Sequence, residues 1–256
     1  MKFLTIIPAR YASSRFPGKP LALIGQKSMI QLVYEQVKKE TDEVYVATDD
    51  ERIFDAVKSF GGNVVMTSPD HQSGTERCFE AYFAIGKDAD VVINVQGDEP
   101  FVQPEQIALI KNCFSDPITD IATLVKPFSE KDSFESLSSP NTPKVVINKR
   151  MEAIYFSRSL IPYLRGVDRM KWLQKGLFYK HIGMYAYKVD VLEQITRLEP
   201  TPLELSENLE QLRWIENGFR IKVGITHTET IGIDTPEDLE RAKKFLSLFT
   251  INENVT

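Results

Sequence analysis

Histidine and cysteine are scarce in this chain, with three and two residues among 256. Cys78 and Cys113 stand far apart without CxxC or CxxH spacing. That argues against a disulfide framework and reads as two reduced, buried thiols. His71, His181 and His227 have no metal-ligand spacing among them, which disfavours a histidine-built zinc site. No apolar run approaches the roughly 18 residues needed to cross a membrane. The start, "MKFLTIIPAR", places apolar residues after Lys2 as a signal peptide does. Pro8 and Arg10 cut that run short of the ~7–15 residues of an h-region, and no small-residue cleavage site follows, so the cytoplasm is the expected location. Positive charge is not in excess either: 31 Lys and Arg against 36 Asp and Glu give a net charge of −5. That balance argues against a protein that coats nucleic acid while leaving room for a local basic pocket.

What is present is ordinary for a soluble globular protein: 42% hydrophobic and 26% charged residues, enough for a sizeable core. The length suits one large α/β domain or two small ones. Strand-like and helix-like segments alternate through the first half. "KFLTIIP", "EVYVATD", "NVVMTS" and "DVVINVQGDEP" read as strands. "MIQLVYEQVKK", with Met29, Val33 and Val37 at helical spacing, "ERIFDAVKSF" and "TERCFEAYFAIGK" read as helices. This alternation predicts right-handed βαβ units and a doubly wound, mainly parallel sheet.

The pattern weakens over about 126–187. "SEKDSFESLSSPNTPK" looks like a surface excursion, "VVINKRMEAIYFSRSLIPY" alternates like a hairpin, and "RGVDRMKWLQKG" reads as a basic, Trp-bearing loop. We read this region as an insertion or flap on a single domain spanning 1–250, with 251–256 a frayed polar tail. An amphipathic helix carrying Leu205, Leu209, Leu212 and Ile215 follows, then a strand "RIKVGIT". The last helix starts at Thr235, with Pro236 at its first position and Glu237 and Asp238 in its first turn.

Ligands of such sheets sit beyond the carboxyl ends of the strands, and every strand-to-helix junction here is polar. The first, "IIPARYASSRFPGKPL", carries Arg10, Arg15 and Lys19 with Ser13 and Ser14, yet Gly18 is its only glycine. It is neither GxxxxGK[ST] nor GxGxxG, which disfavours P-loop NTPases and nicotinamide dehydrogenases. It is either a solvated basic loop or a side-chain clamp on a triphosphate, pre-stiffened by Pro17 and Pro20. "NVQGDEP" puts Gln96, Asp98 and Glu99 past a buried strand, where a carboxylate can hold Mg²⁺ with substrate phosphates, or where Gly-Asp-Glu-Pro simply turns. Asp234, before the last helix, is a second such carboxylate or a dipole partner. In "DHQSGTER", Ser73 and Gly74 would let backbone approach a flat base, while Thr75 can cap a helix and Arg77 can be a surface charge.

Taken in order, "IIPARYASSRFPGKPL", "VATDD", "DHQSGTER", "NVQGDEP", "PKVV", "YFSRSLIP", "HIGMYAY", "LEQLRWIENG" and "GIDTPEDLERA" resemble the motifs of the 3-deoxy-D-manno-octulosonate (KDO) cytidylyltransferases, the CMP-KDO synthetases. The resemblance covers roughly residues 3–243. It implies a Rossmann-like fold of the nucleotide-diphospho-sugar transferase type, with a mixed, mainly parallel sheet and an inserted flap or dimerisation region. It also implies Mg²⁺, a homodimer, and the reaction CTP + KDO → CMP-KDO + pyrophosphate for lipopolysaccharide biosynthesis.

Residue by residue, the resemblance makes Arg10, Ser14, Arg15 and Lys19 the triphosphate clamp, and Asp98 and Asp234 the metal ligands. Ser73, Gly74 and Gln96 fall on the CTP side. Arg77, Gln96, Arg158, His181, Tyr185, Glu210 and Gln211 match positions around the anionic sugar. Departures cluster at Pro143 and in "YLRGVDRMKWLQKGLFYK". They leave the reaction type intact and leave open an 8-amino KDO analogue or another 2-keto acid sugar. Two further readings compete: a sugar-nucleotide-dependent glycosyltransferase, disfavoured because Gly97-Asp98-Glu99-Pro100 is not Asp-x-Asp, and a non-catalytic nucleotide-binding protein.

Overall fold

The structure, a computed structural model, describes residues 1–13, 15–228, 232–233 and 235–253, with side chains described as far as 244. The chain divides into two compact units, residues 1–107 with 230–256, and residues 108–229.

In the first unit β1 (Phe3–Ala9) is followed by a short hairpin of β2 (Leu23–Ile24) and β3 (Lys27–Ser28). Then come α1 (Met29–Lys38), β4 (Val44–Thr48), α2 (Glu51–Ser59), β5 (Val64–Met66), α3 (Gly74–Ile85) and β6 (Val91–Asn94). The four longer strands are parallel in the order β6-β1-β4-β5. A parallel sheet covered on both faces needs near-continuous apolar strands. Accordingly Leu4, Ile6, Ile7, Val91, Val92 and Ile93 are almost wholly buried.

The three helices that follow β3, β4 and β5 begin where the sequence provides a cap. Ser28, Asp50 and Ser73 accept backbone N–H bonds from Gln31, Arg52 and Glu76 at the starts of α1, α2 and α3. The closing helix, Pro236–Glu253, starts as expected: Asp238 N–H donates to Thr235 Oγ1 (3.2 Å) and Thr235 N–H donates back to the Asp238 carboxylate (3.1 Å). Its Leu239 and Ala242 close a cluster with Ile24, Met29, Phe101 and Ile233. The helix runs on to Glu253, past the point where a frayed tail is expected, because no proline or glycine after Pro236 stops it.

After α4 (Pro104–Asn112), the second unit is built on β7 (Ile121–Pro127). Its further elements are α5 (Phe134–Ser138), β8 (Lys144–Ile147), β9 (Ala153–Ser157), α6 (Trp172–Lys175) and β10 (Tyr179–Lys188). They are followed by α7 (Val189–Thr196), α8 (Pro202–Glu207), α9 (Gln211–Glu216) and β11 (Ile221–Ile225). β11 pairs parallel with β7, β10 antiparallel with β7 and β8, and β8 antiparallel with β9, the hairpin read from the sequence.

Two expectations need correction. The stretches read as a surface excursion and a basic loop contribute Leu137 and Trp172, both buried, to a core with Phe128 and Phe178. The flap thus has an apolar centre of its own, with the Trp172 and Phe178 rings stacked at 5.9 Å. The single helix from Leu205 to Ile215 is two, α8 and α9. Asn208 takes a left-handed conformation (φ 50°) that ends α8, leaving Leu205 exposed while Leu212 is fully buried.

A register irregularity between Ile182 and Tyr185 interrupts the β10–β7 ladder. Thr123 Oγ1 donates to the Met184 carbonyl freed there (2.8 Å). Having given its proton to a carbonyl, which only accepts, that hydroxyl takes a bond from His181 Nε2 (2.9 Å). Desolvation pushes the His181 pKa down to about 3 from an ordinary 6.5, so the imidazole is neutral, and the Thr123 contact puts its proton on Nε2.

The folded chain thus binds no proton at His181 over a range where the unfolded chain does. The resulting stability is fully present above pH 6.5 and is lost as pH falls toward 3. We expect His181→Gln to remove that loss. Between pH 7 and 5 the unfolding free energy of the parent chain should fall about 2 kcal/mol more than that of the variant, from ~1.4 kcal/mol per pH unit below the unfolded pKa. Urea titrations of both chains across this range check it; parallel pH profiles would refute it.

Candidate active site

In the first unit the strand order reverses between β1 and β6, so their following loops leave in different directions and open a crevice. A cavity of about 230 Å³ lies there. The segment after β1 supplies Pro8, Ala9, Arg10, Ser13, Lys19 and Pro20; the segment after β6 supplies Gln96, Gly97 and Asp98. The turn into α3 supplies His71, Gln72, Ser73, Gly74 and Arg77.

Lys19 and Asp98 meet across this crevice, Nζ to Oδ2 at 2.6 Å. The lysine side chain is 13% exposed and the aspartate 33%, so the pair stays open to a ligand while partly shielded from water. The preceding Gly97 is needed for close approach, since a Cβ there would lie 2.8 Å from the Pro8 carbonyl oxygen. The Asp98 carbonyl accepts the N–H of buried Ile233 (3.0 Å). Asp234 and Ser14, both expected at the site, lie outside the described residues.

Glu99, next to Asp98, behaves differently. Its side chain is half-buried, with Oε2 enclosed and without a hydrogen-bond partner, and this desolvation together with the charge of Asp98 pushes its pKa up to about 8. At neutral pH it carries its proton. The two acidic residues of "GDEP" are thereby separated into one facing the cavity and one neutral in the interior.

Arg10 is exposed at the cavity; Arg15 is exposed and is not among the lining residues. Ser73 both lines the cavity and caps α3, a role the sequence offered to Thr75, which is buried instead. Gly74 packs tightly on β1, where a Cβ would come within 3.2 Å of Pro8 Cγ. Gln96 lines the cavity and donates to Asn94 Oδ1 (3.2 Å).

Arg77 is no surface charge. It is 3% exposed, pairs with Asp49 at 2.7 Å and donates to Thr67 Oγ1 at 2.6 Å. Asp49 is its hidden counter-ion and went unassigned in the sequence, where it reads only as part of the polar turn "TDD". His71 is likewise held, its Nε2 bonded to Glu80, which also accepts the Ser68 N–H (2.9 Å).

The other sugar-side residues belong to the second unit. Tyr185 is buried with its ring 5.3 Å from His181 and 5.1 Å from Trp214. Its hydroxyl has no partner, and burial, then the nearby Glu210 charge, raises its pKa well above 10. Gln211 opens α9 with its Nε2 buried and unpartnered, and Trp214 Nε1 is in the same condition. Orphaned buried donors are costly unless a ligand or water meets them. Trp214 was not singled out in the sequence, where it passes for one more apolar residue of a helix.

Arg158 is placed differently from a free carboxylate fork. Its Nε donates to Glu207 O (2.6 Å), Nη1 to Pro140 O (3.0 Å) and Nη2 to Asn208 O (3.2 Å). The Glu207 carboxylate takes Ser157 Oγ (2.5 Å) and the Arg158 N–H (2.9 Å). Fully buried Lys144 donates to Ser139 O and Arg158 O, and burial lowers its pKa. Arg158 is thus a bracket between chain segments with three N–H groups committed to main chain.

Among the described residues no group of three or more His, Cys, Asp or Glu is arranged to hold a metal ion, and no helix is long and apolar enough to cross a membrane. Among the described residues lining the cavity, Asp98 is the one that offers a carboxylate. That donor set fits Mg²⁺, which takes one or two carboxylates and completes its shell with water and substrate phosphates.

A family model described as cytidylyltransferase matches residues 4–231. The 3-deoxy-manno-octulosonate cytidylyltransferase of Parabacteroides distasonis is 65% identical over 248 residues, covering 96% of this chain and 99% of that protein. Its counterpart from Phocaeicola vulgatus is 62% identical over 246 residues, covering 96% and 98%. Among solved structures, a CMP:2-keto-3-deoxy-manno-octonic acid synthetase complexed with CTP superposes with a TM-score of 0.88 at 42% identity, covering 97% of this chain and 99% of that one. The 4-diphosphocytidyl-2C-methyl-D-erythritol synthase of Anaerococcus prevotii shares the fold at 16% identity and a TM-score of 0.60, covering 96% and 99%. With a mixed, mainly parallel Rossmann-like architecture and a family match over nearly its whole length, the chain belongs to the cytidylyltransferase family.

Proposed function

We propose that this chain transfers the cytidylyl group of CTP to the anomeric hydroxyl of KDO, forming CMP-KDO and releasing pyrophosphate. The observation that carries the reading is the 2.6 Å Lys19–Asp98 pair at the crevice between β1 and β6. A cation and a carboxylate held there in a cytidylyltransferase suit a triphosphate and its counter-ion.

In this reading Arg10 and Lys19, joined by Arg15 and Ser14, grip the triphosphate. Their charge offsets the negative charge growing on the departing pyrophosphate. Ser73, Gly74 and Gln96 receive the nucleoside. Asp98 and Asp234 would hold Mg²⁺, which would supply neutralisation of phosphate charge. The protein's remaining task is positioning.

For the sugar, the orphaned Tyr185 hydroxyl and Gln211 Nε2 are donors that hydroxyls or a carboxylate can satisfy. Neutral His181 keeps Nδ1 as an acceptor. Glu210 lies beside them, and Arg158 contributes by fixing the surrounding backbone. Arg77, paired with Asp49, fits the nucleotide side better than the sugar side. Homodimerisation, a cytoplasmic location and a role in lipopolysaccharide synthesis belong to the same proposal.

Pyrophosphate release measured with CTP, UTP or ATP crossed with KDO, its 8-amino analogue or a sialic acid, with Mg²⁺ or EDTA, tests the whole reading. Turnover is expected for CTP with KDO and Mg²⁺; none in any combination would sink it. Asp98→Asn should lower kcat/KM by about two orders of magnitude or more, the scale on which a developing charge depends on a placed group. Its melting temperature should stay near the parent value, and full activity in this variant would remove Asp98 from the site.

A further inference from the structure

The loop from Arg10 to Lys19 is glycine-poor and carries its cations on long side chains, so something must hold it in shape. Its two ends meet: Gly18 N–H donates to the Tyr11 carbonyl at 2.9 Å. Gly18 sits at φ +70°, and a Cβ there would lie 3.0 Å from two ring atoms of Tyr11. The Tyr11 ring therefore lies against the end of the loop while its backbone forms the beginning. Arg10 and Lys19 are the residues immediately outside this closure, and both line the cavity.

The ring also packs on Arg52, whose guanidinium carbon is 3.3 Å from the ring centroid. Arg52 lies in the first turn of α2, and its fork is fixed in its own plane by Asp50, through Nε at 2.9 Å and Nη2 at 2.6 Å. Asp50 is in turn the N-cap of that helix. A continuous set of contacts thus runs from the start of α2 through Asp50, Arg52 and Tyr11 to Gly18. The "TDD" junction after β4, which the catalytic reading leaves without a task beyond Asp49, supplies its anchor.

We propose that Arg52 is a positioning residue for the nucleotide: clasped over Tyr11, it holds the loop closed so that Arg10 and Lys19 are aimed at the triphosphate before CTP arrives. Arg52 acts through Tyr11 and touches no reacting atom. The loop's ordering cost is then met in the free protein, which favours binding. The ligand part rests on the cytidylyltransferase reading; the clasp itself does not.

The test pairs a ligand-free readout with a ligand readout in Arg52→Ala, Tyr11→Ala, the double variant and Tyr11→Phe. In hydrogen exchange of the free protein, the segment 10–21 should lose protection in both alanine variants and keep it in Tyr11→Phe, which retains the ring. Calorimetric Kd and steady-state KM for CTP should rise about five- to tenfold, with kcat and the KM for KDO within about twofold, a range corresponding to ~1 kcal/mol at 1.4 kcal/mol per tenfold. The double variant should be no worse than the worse single, since both changes break one contact. Unchanged exchange overturns the clasp. Raised exchange with unchanged CTP affinity overturns the positioning role, as does an additive double variant or an equal rise in both KM values, the pattern of a general loss of structure. A parent chain that binds no CTP overturns the cytidylyltransferase reading and the positioning role with it, while the exchange data still decide the clasp.

Discussion

Two parallel strands whose connections run opposite ways leave a crevice at their carboxyl ends, and the ion pair of Lys19 with Asp98 spans it. The surrounding structure serves to bring those two side chains within 2.6 Å. β1 and β6 are paired and buried, which fixes where each following loop starts. Gly97 lets the second loop pass close to the Pro8 carbonyl, and the left-handed Gly18 turns the first loop back so that Lys19 points into the crevice. At partial exposure such a pair adds little to stability. Its significance lies in chemistry, because a charge pair that water and a ligand can still reach is easily exchanged for phosphate and metal.

A side-chain clamp has different demands from a backbone cradle. Phosphate loops rich in glycine use main-chain N–H groups that need no aiming beyond the turn itself. Long cationic side chains lose more rotameric freedom on ordering, so they gain from a preorganised base. The prolines at 17 and 20, the Gly18–Tyr11 closure and the Arg52 contact all reduce that freedom. A scarcity of glycine, odd for a phosphate site, is thus consistent with a site whose contacts are made by side chains.

The alternation of strands and helices, the capped helix starts and the clustering of the first unit's candidates were legible because each rests on local patterning. Long-range partnerships were not. Arg77 and Asp49 are separated by 28 positions and carry no shared motif, so a buried ion pair looked like a surface charge. Arg158 matches a position around the anionic sugar, and its three bonds to the main-chain carbonyls of Pro140, Glu207 and Asn208 carry no local signal. The break at Asn208 escaped notice because the apolar spacing continues across it, and only the backbone conformation ends the helix. Asp98 and Glu99, adjacent and chemically alike, differ because one faces the cavity and the other the interior.

The same contrast between adjacent groups explains the second unit's polar interior. A buried lysine beside a half-buried arginine and glutamate would be costly if it stood alone. Here Lys144, Arg158 and Glu207 each end on a backbone or hydroxyl partner, so this network is fixed and has few donors left to offer. Tyr185, Gln211 and Trp214 form the opposite case: packed aromatic and amide side chains whose polar atoms are buried without partners. One set of groups is complete in the free protein and the other is not. Since burial without a partner is tolerated chiefly where function requires it, the incomplete set is where a polyhydroxylated substrate has most to gain by binding.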